Sequence, residues 1–515
     1  MALLTVVGAS QTLLASSPSL LIALLLLLVW VYHTWKKQSH IPGPLLASIS
    51  NISRLSWAWS SRAHQIHIRL HEKYGNLVRI GPNCISVGDP HEIDEIQKIY
   101  GTGANFGKSD YYKVLQPMSR GKIIQGLFNT QDEMLHRAMK RPIAGIYSMT
   151  NLVEFEPYVD TTIQFFLQRL DETQTSSGGK AIDLGTWLQW FAFDVMGEIT
   201  FSKRLGFLDE ATDVEGIMGP IWKVFRYSSV GQMPWLDKLW VKNPYIRRFL
   251  PEKNSPVVSF AMARARERTS DTDKSASDYN SKDFMSRFLE ARAKDPANIP
   301  EWFVTAWTTS NMLAGSDTTA IMLRAIIYFL LKHPASLQKL LEELAQARRE
   351  NRLSDIVTWK ESRSLPYLDA CVKEAGRLHP AIGLTLERVV PQGSDGVEIC
   401  GQHFAPGTIV GMNPWVIHRN QAVFGPDADE WNPDRWLAGS KEQRVLMERC
   451  LLTFGSGHRT CIGKNISYLE IYKLIPTMFA RYEMQVEKDW NVQNSWLVVQ
   501  TDLHVRLSQR QQLAL

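Results

Sequence analysis

The chain has 515 residues, 44% of them hydrophobic, 21% charged, and 17 of them Trp, enough apolar material for a large core and too little charge for wholesale disorder. A formal charge of +5 without a long Lys/Arg run or a nucleic-acid motif argues against a nucleic-acid partner. Five cysteines (Cys84, Cys371, Cys400, Cys450 and Cys461) form an odd set without CxxC spacing, which excludes a disulfide framework and a structural zinc site and points to a reducing compartment.

From Met1 to Trp35 there is no Asp, Glu, Lys or Arg, and Ser19 to Tyr32 is almost wholly apolar. Extended back to Leu13, this run reaches the roughly 20 residues that a bilayer requires. A cleaved signal peptide predicts a basic start and a small-residue cleavage site. Here the run ends instead in Trp30, Tyr32 and Trp35, then Lys36 and Lys37, the pattern of a retained helix whose carboxyl end faces the cytoplasm. The expected division is a short lumenal segment at 1–12, a transmembrane anchor at 13–35, a basic Pro-Gly-Pro hinge at 36–48 (Pro42-Gly43-Pro44) and one domain at 49–515. The two prolines forbid helix continuation and stiffen the spacer.

Next, His64, His67 and His71 recur at helical spacing with no carboxylate or cysteine to complete a metal set, so a polar helix face is expected. A strand follows at Leu77 to Val87. Thr102 to Ser109 ends in Gly-Lys-Ser but lacks the first glycine of a P-loop and a leading apolar strand, so nucleotide binding is set aside. His136 and Lys140, four apart, share a helical face. Helices are expected at 152–170, 184–201, 301–331, 334–350 and 367–378, where apolar residues recur at three- and four-residue spacing. Asp171 to Lys180 and Thr269 to Asp283 read as polar loops. Short strands are expected at Val397 to Phe404 and Trp496 to Leu507. The fold class is therefore mainly α with minor β.

Three patterns carry chemistry. Within the 301–331 helix, Ala314-Gly315-Ser316-Asp317-Thr318-Thr319 is a polar insert in an otherwise buried run. Unsatisfied buried polar groups cost roughly 1–3 kcal/mol each, so the insert needs a reason beyond a Gly/Thr kink. Glu374-Ala375-Gly376-Arg377 places an acid and a base on one helical face, and Asn432-Pro433-Asp434-Arg435-Trp436 follows. Finally, Phe454-Gly455-Ser456-Gly457-His458-Arg459-Thr460-Cys461-Ile462-Gly463 sets a cysteine after two turn-forming glycines and ahead of a helix amino terminus, where the dipole favours thiolate.

This last segment resembles the cytochrome P450 superfamily, whose haem-binding loop reads Phe-x-x-Gly-x-Arg-x-Cys-x-Gly, and every fixed position is met. The insert in the 301–331 helix is similar to the family's (Ala/Gly)-Gly-x-(Asp/Glu)-Thr-(Thr/Ser), and Asn432 to Trp436 to its Pro-x-Arg-Phe element, with Trp in place of the final Phe. The resemblance implies one P450 domain of the microsomal type behind a single transmembrane helix. It further implies haem b as cofactor, with Cys461 as iron ligand and Phe454, Arg459 and Arg388 around the haem. His136 and Lys140 are implied on the propionate-binding helix, where Lys140 replaces the usual Arg. Glu374, Arg377 and Arg435 form a structural triad, and Asp317 and Thr318 deliver protons. Thiolate ligation donates electron density to the iron.

No flavin or nicotinamide domain is evident, so the implied partners are NADPH-cytochrome P450 reductase, with cytochrome b5 as an optional second donor, a hydrophobic small-molecule substrate and the endoplasmic reticulum membrane. The catalytic domain is expected on the cytoplasmic side. Phe193 to Glu198 and Gly463 to Ser467 resemble filamentous-fungal members of specialised metabolism, which implies oxidation of a terpenoid, polyketide or alkaloid. Substrate contacts are expected, by family position, from the loop around Tyr111 to Phe128, from Thr308, Asn311 and Met312, and from Ala381 to Leu384. Two rivals stand beside this reading. One is a haem-thiolate isomerase or dehydratase acting on a peroxide, which has no use for Asp317 and Thr318; the other is a membrane haem sensor or carrier without turnover.

Overall fold

The charge-free amino-terminal run forms one helix, α1 (Ala2–Lys36), whose side chains are exposed from Ser19 to Trp30. The computed structural model describes residues 2–90, 93–103, 106–119, 121–249, 255–270 and 283–510. The hinge behind α1 docks on the domain. Pro42 accepts the Arg79 amide at 2.8 Å, and a Cβ on Gly43 would sit 2.3 Å from the Arg79 carbonyl oxygen, so only glycine fits. The buried Arg79 guanidinium donates to the carbonyls of Thr34 (2.7 Å), Trp35 (2.6 Å) and Pro82 (2.8 Å). It thereby caps the carboxyl end of α1, where a cation is favoured and the last carbonyls lack helical partners.

Helix α2 (Ala63–Tyr74) corrects the reading of its histidines as a polar face. His64 and His67 are 2% and 5% exposed, because the short helix Pro414–Ile417 lies over them. The His64 ring meets that of Trp415 with centroids 4.5 Å apart, and His67 Nδ1 lies 3.1 Å from Asn413 Nδ2. The strand expected over 77–87 is a hairpin, β1 (Leu77–Gly81) and β2 (Cys84–Val87), turning at Pro82 and Asn83. They join β3 (Gly107–Lys108), β4 (Arg388–Val389) and β5 (Ile409–Gly411) in a sheet of order β1-β2-β5-β4-β3. In it Lys108 and Arg388 are direct cross-strand partners.

The helical body contains α3 (Glu133–Lys140), α4 (Glu156–Ser176), α5 (Leu184–Phe201), α6 (Glu301–Lys332), α7 (Pro334–Arg349), α8 (Pro366–Leu378) and α9 (Lys464–Arg481). Helix α6 runs through the core and packs against α5, α8 and α9. Helix α4 overruns the polar loop expected from Asp171. Thr173, Thr175 and Ser176 turn their hydroxyls onto carbonyls of the preceding turn, and the helix stops only where Gly178 and Gly179 take φ of 62° and 77°. The second expected loop, Thr269 to Asp283, lies mostly outside the described residues, between a helix ending at Ser270 and one capped by Asp283. The carboxyl-terminal strand splits into Val498–Thr501 and His504–Gln509 around Asp502, whose φ is 65°.

Several large apolar side chains are exposed on adjoining elements: Leu45, Leu46, Ile52 and Trp59 after the hinge, and Trp235, Leu239 and Trp240 farther on. The helix Ile52–Trp59 packs on the turn Ser228–Gln232, which leads into Pro234–Leu239, so these exposed side chains lie on neighbouring elements.

Candidate active site

The cysteine loop is shaped by its glycines. Gly455 and Gly457 have φ of 71° and 66°, and a Cβ on Gly457 would lie 1.7 Å from the Tyr100 carbonyl oxygen. The Cys461 amide closes the loop on Phe454 O at 2.9 Å, and the Phe454 ring stands edge-on to Tyr468. Cys461 is accessible, while its neighbours from Thr453 to Thr460 and from Ile462 to Asn465 are half-buried. Backbone N–H groups of Gly463 and Lys464 donate to that sulfur, and the Lys464 and Lys140 cations act in the same direction, yet burial is the largest influence and the thiol titrates above its ordinary value.

On α6, Ala314 is exposed and Thr318 half-buried, one turn apart, with Ser310, Leu313 and Gly315 half-buried among otherwise covered central positions. Thr318 Oγ1 donates to Ala314 O at 2.7 Å, taking up the alcohol on the same face. Asp317 points elsewhere. It is buried against α5, where Gln189 Nε2 donates to its Oδ1, while its Oδ2 has no partner. Burial, opposed by Arg324, lifts its carboxyl to about 7. Thr308, Asn311 and Met312 are buried: Thr308 bonds to Val304 O (2.8 Å), and Asn311 accepts from Tyr147 Oη (2.7 Å). On the same helix Ser310 and Leu313 are half-buried. Ala381 and Leu384 belong to a wall with Tyr111, Tyr112 and Trp496, the first two from the loop expected to touch substrate.

Below α6, Glu374 on α8 receives Arg377 Nε (2.8 Å) and Nη2 (2.7 Å), Arg435 Nε (3.0 Å) and the Asn432 amide (2.9 Å), all buried or nearly so. Trp436, which departs from the expected Phe, adds an indole N–H to Glu374 Oε2 at 2.9 Å. Arg377 reaches on to His418 O (2.7 Å), and His418 Nε2 accepts the Leu452 amide (2.7 Å), which ties the triad to the start of the cysteine loop.

The family model for Cytochrome P450 matches residues 41–507. The chain belongs to the cytochrome P450 family. A "Cytochrome P450 monooxygenase" of Aspergillus terreus is 51% identical over 90% of this chain and 94% of its own. "Cytochrome P450 monooxygenase cicH" of Emericella nidulans is 49% identical over 95% and 98%. The longer "Cytochrome P450 monooxygenase mpaDE'" of Penicillium brevicompactum is 43% identical over 94% of this chain and 57% of its own. The chain is accordingly an oxidoreductase of helix-rich P450 fold.

The haem that the P450 family implies fits the residues present, and the test is one of charge. Lys108 and Arg388 oppose each other across β3 and β4, an arrangement that like charges disfavour. Lys108 is buried, with Nζ 4.2 Å from the ring centroids of both Tyr112 and Phe128 and donating to Phe128 O. Burial first, then Arg388 and Arg459, pull its ammonium well below the ordinary lysine range. Arg388 Nε is buried without a partner. The nearby acids are committed: Glu387 to Arg54 and Ser109, and Glu133 to Arg459 (2.7 Å) and His458 (3.1 Å). The two carboxylates of a haem are the anions such an edge lacks. Arg459 also donates to Leu127 O (3.1 Å), Lys140 Nζ to His458 O (2.8 Å), and His136 is buried beside them with its ring held neutral, at about 3, by burial and Arg459. Sequence reasoning missed Lys108 and Glu133. The only trace of Lys108 was a Gly-Lys-Ser in a failed P-loop, and an acid three residues before His136 had no distinguishing mark.

Proposed function

We propose that this P450 inserts one oxygen atom from O2 into a hydrophobic small molecule, a terpenoid, polyketide or alkaloid of fungal secondary metabolism, with electrons from a separate NADPH-cytochrome P450 reductase. The observation that carries the reading is the pairing of an accessible Cys461 sulfur with Ala314 and Thr318, exposed and half-buried positions on a helix packed against the one that follows the cysteine loop. When bound, haem b supplies the oxygen-activating iron. The chain's own residues then have distinct jobs. Cys461 ligates, and Arg388, Arg459 and Lys108 neutralise the propionates with Lys140 and His136 beside them. Thr318 holds a hydroxyl at the inner face, and Asp317, whose carboxyl carries a proton part of the time near neutrality, refills it through its unpartnered Oδ2. Neither rival reading uses this acid and alcohol.

Helix α1 and the exposed apolar side chains on the elements that follow the hinge support anchoring in the endoplasmic reticulum membrane with the catalytic domain in the cytoplasm. The test is turnover with a fungal reductase, NADPH and 18O2 against a panel of fungal terpenoids, polyketides and alkaloids. One 18O per product and NADPH consumption are expected, with Thr318→Ala retaining haem while diverting most electrons to peroxide. A product formed from a peroxide without reductase would establish the isomerase reading instead, and unchanged coupling in Thr318→Ala would remove the relay.

A further inference from the structure

Asp317 and Arg324 lie two turns apart on α6, both buried, and ordinary chemistry would join them directly as an ion pair. They are not joined. The Gln189 side chain of α5 stands between them, with Nε2 donating to Asp317 Oδ1 and Oε1 accepting from Arg324 Nη2 at 2.9 Å. A carboxylate accepts and a guanidinium only donates, so the amide can satisfy both in this one orientation. Arg324 is held back further by Gly185 O, which takes both Nε (2.9 Å) and Nη2 (2.6 Å). A Cβ on Gly185 would lie 3.1 Å from Arg324 Nε, so the small residue lets the guanidinium settle there.

We propose that Gln189 is a positioning residue that insulates Asp317 from Arg324, keeping the acid out of an ion pair so that it can hold and release a proton; this rests on the relay reading above. The surroundings allow no other charged group to do this. Helix α5 presents Gln189 and, at its amino terminus, Asp183, which acts on Arg324. Helix α9 presents Ser467, bonded to Thr319 at 2.9 Å, and Glu470, buried and showing no influence from any charged neighbour. The strand Val498–Thr501 presents Gln500, which donates to Ile321 O at 3.0 Å. Helix α8 presents Glu374 and Arg377, committed to each other. Arg324 is the one charge acting on Asp317 among the described residues. Direct contact with it would add the attraction that ordinarily lowers a carboxyl by about 1–3 pH units.

The experiment is an infrared pH titration of the purified holoprotein, following the protonated-carboxyl band that Asp317→Asn removes. The native band should titrate near neutrality. In Gln189→Ala the guanidinium can close on the acid, and the midpoint should fall by about one pH unit or more. In Gln189→Glu the new carboxylate takes Arg324 and repels Asp317, and the midpoint should rise by a similar amount. Opposite shifts in two variants that retain the thiolate carbon monoxide spectrum are what a purely structural glutamine would not produce. Midpoints that stay put, or move in the same direction, overturn the inference. The relay reading fails separately: it falls if Asp317→Asn leaves the peroxide released per NADPH unchanged, whatever the infrared midpoints show.

Discussion

Trp436→Phe brings the chain closer to the family's Pro-x-Arg-Phe pattern, yet it should destabilise this protein. The indole N–H is one of five donors on the Glu374 carboxylate, and Oε2 would keep only Arg377 Nε. A hydrogen bond to a charged group contributes about 1.5–3 kcal/mol; with Arg377 remaining, the low end of that range applies. Shrinking a side chain that is only 6% exposed leaves a void worth up to about 1 kcal/mol more. The expected loss is therefore about 2 kcal/mol. Arg435→Met strips a buried charge of a charged partner and should cost about 3–5 kcal/mol. Urea unfolding of the detergent-solubilised holoprotein, followed by the Soret band and read as midpoint shifts at a common slope, separates the two. The reasoning is refuted if Trp436→Phe lies within about 0.5 kcal/mol of the native chain, the ordinary scatter of a neutral substitution, or if it matches Arg435→Met.

Three further outcomes are expected. His64, His67 and His418 are held at about 3 and His379 at about 4, chiefly by burial, against 6.5 when unfolded. The unfolded chain therefore takes up protons first: their contribution is complete above about pH 6.5 and is lost below it, by up to about 1.4 kcal/mol per pH unit for each histidine. Urea midpoints at pH 7.5 and 5.5 measure this, and equal midpoints would count against it. Cys461→Ser should lose the thiolate carbon monoxide spectrum of the reduced protein while Cys450→Ser, buried away from the site, keeps it; a retained spectrum in the first removes the ligand assignment. Lys108→Met should release haem to an apoglobin acceptor about ten times faster or more, as loss of a charge-assisted bond implies, and an unchanged release rate would exclude the lysine from the haem edge.

What could be read from the sequence was contiguous, and what could not depended on partners far along the chain. The cysteine loop, the Ala314 to Thr319 insert and the Glu374-Arg377 pair are each short enough that spacing alone sets their local geometry. The long apolar helices were equally plain, because α5 and α6 repeat their buried positions over many turns. Lys108 acquires meaning only opposite Arg388, some 280 residues later, through a two-residue strand too short to leave a periodic signal. His64 and His67 read as polar until the Pro414–Ile417 helix covers them. Likewise the burial of Thr308, Asn311 and Met312 is set by the helices packed around α6, which no local spacing marks.

The Arg79 clasp makes the end of α1 part of the domain's own architecture. With Thr34 and Trp35 held to the sheet through one guanidinium, and Gly43 wedged against the same strand, the end of α1 is fastened to the catalytic body at two points. A version cut after Lys36 would remove two of the three acceptors that Arg79 now uses, whereas a cut ahead of Thr34 preserves them. Where the chain is cut thus decides whether the remaining protein keeps this fastening.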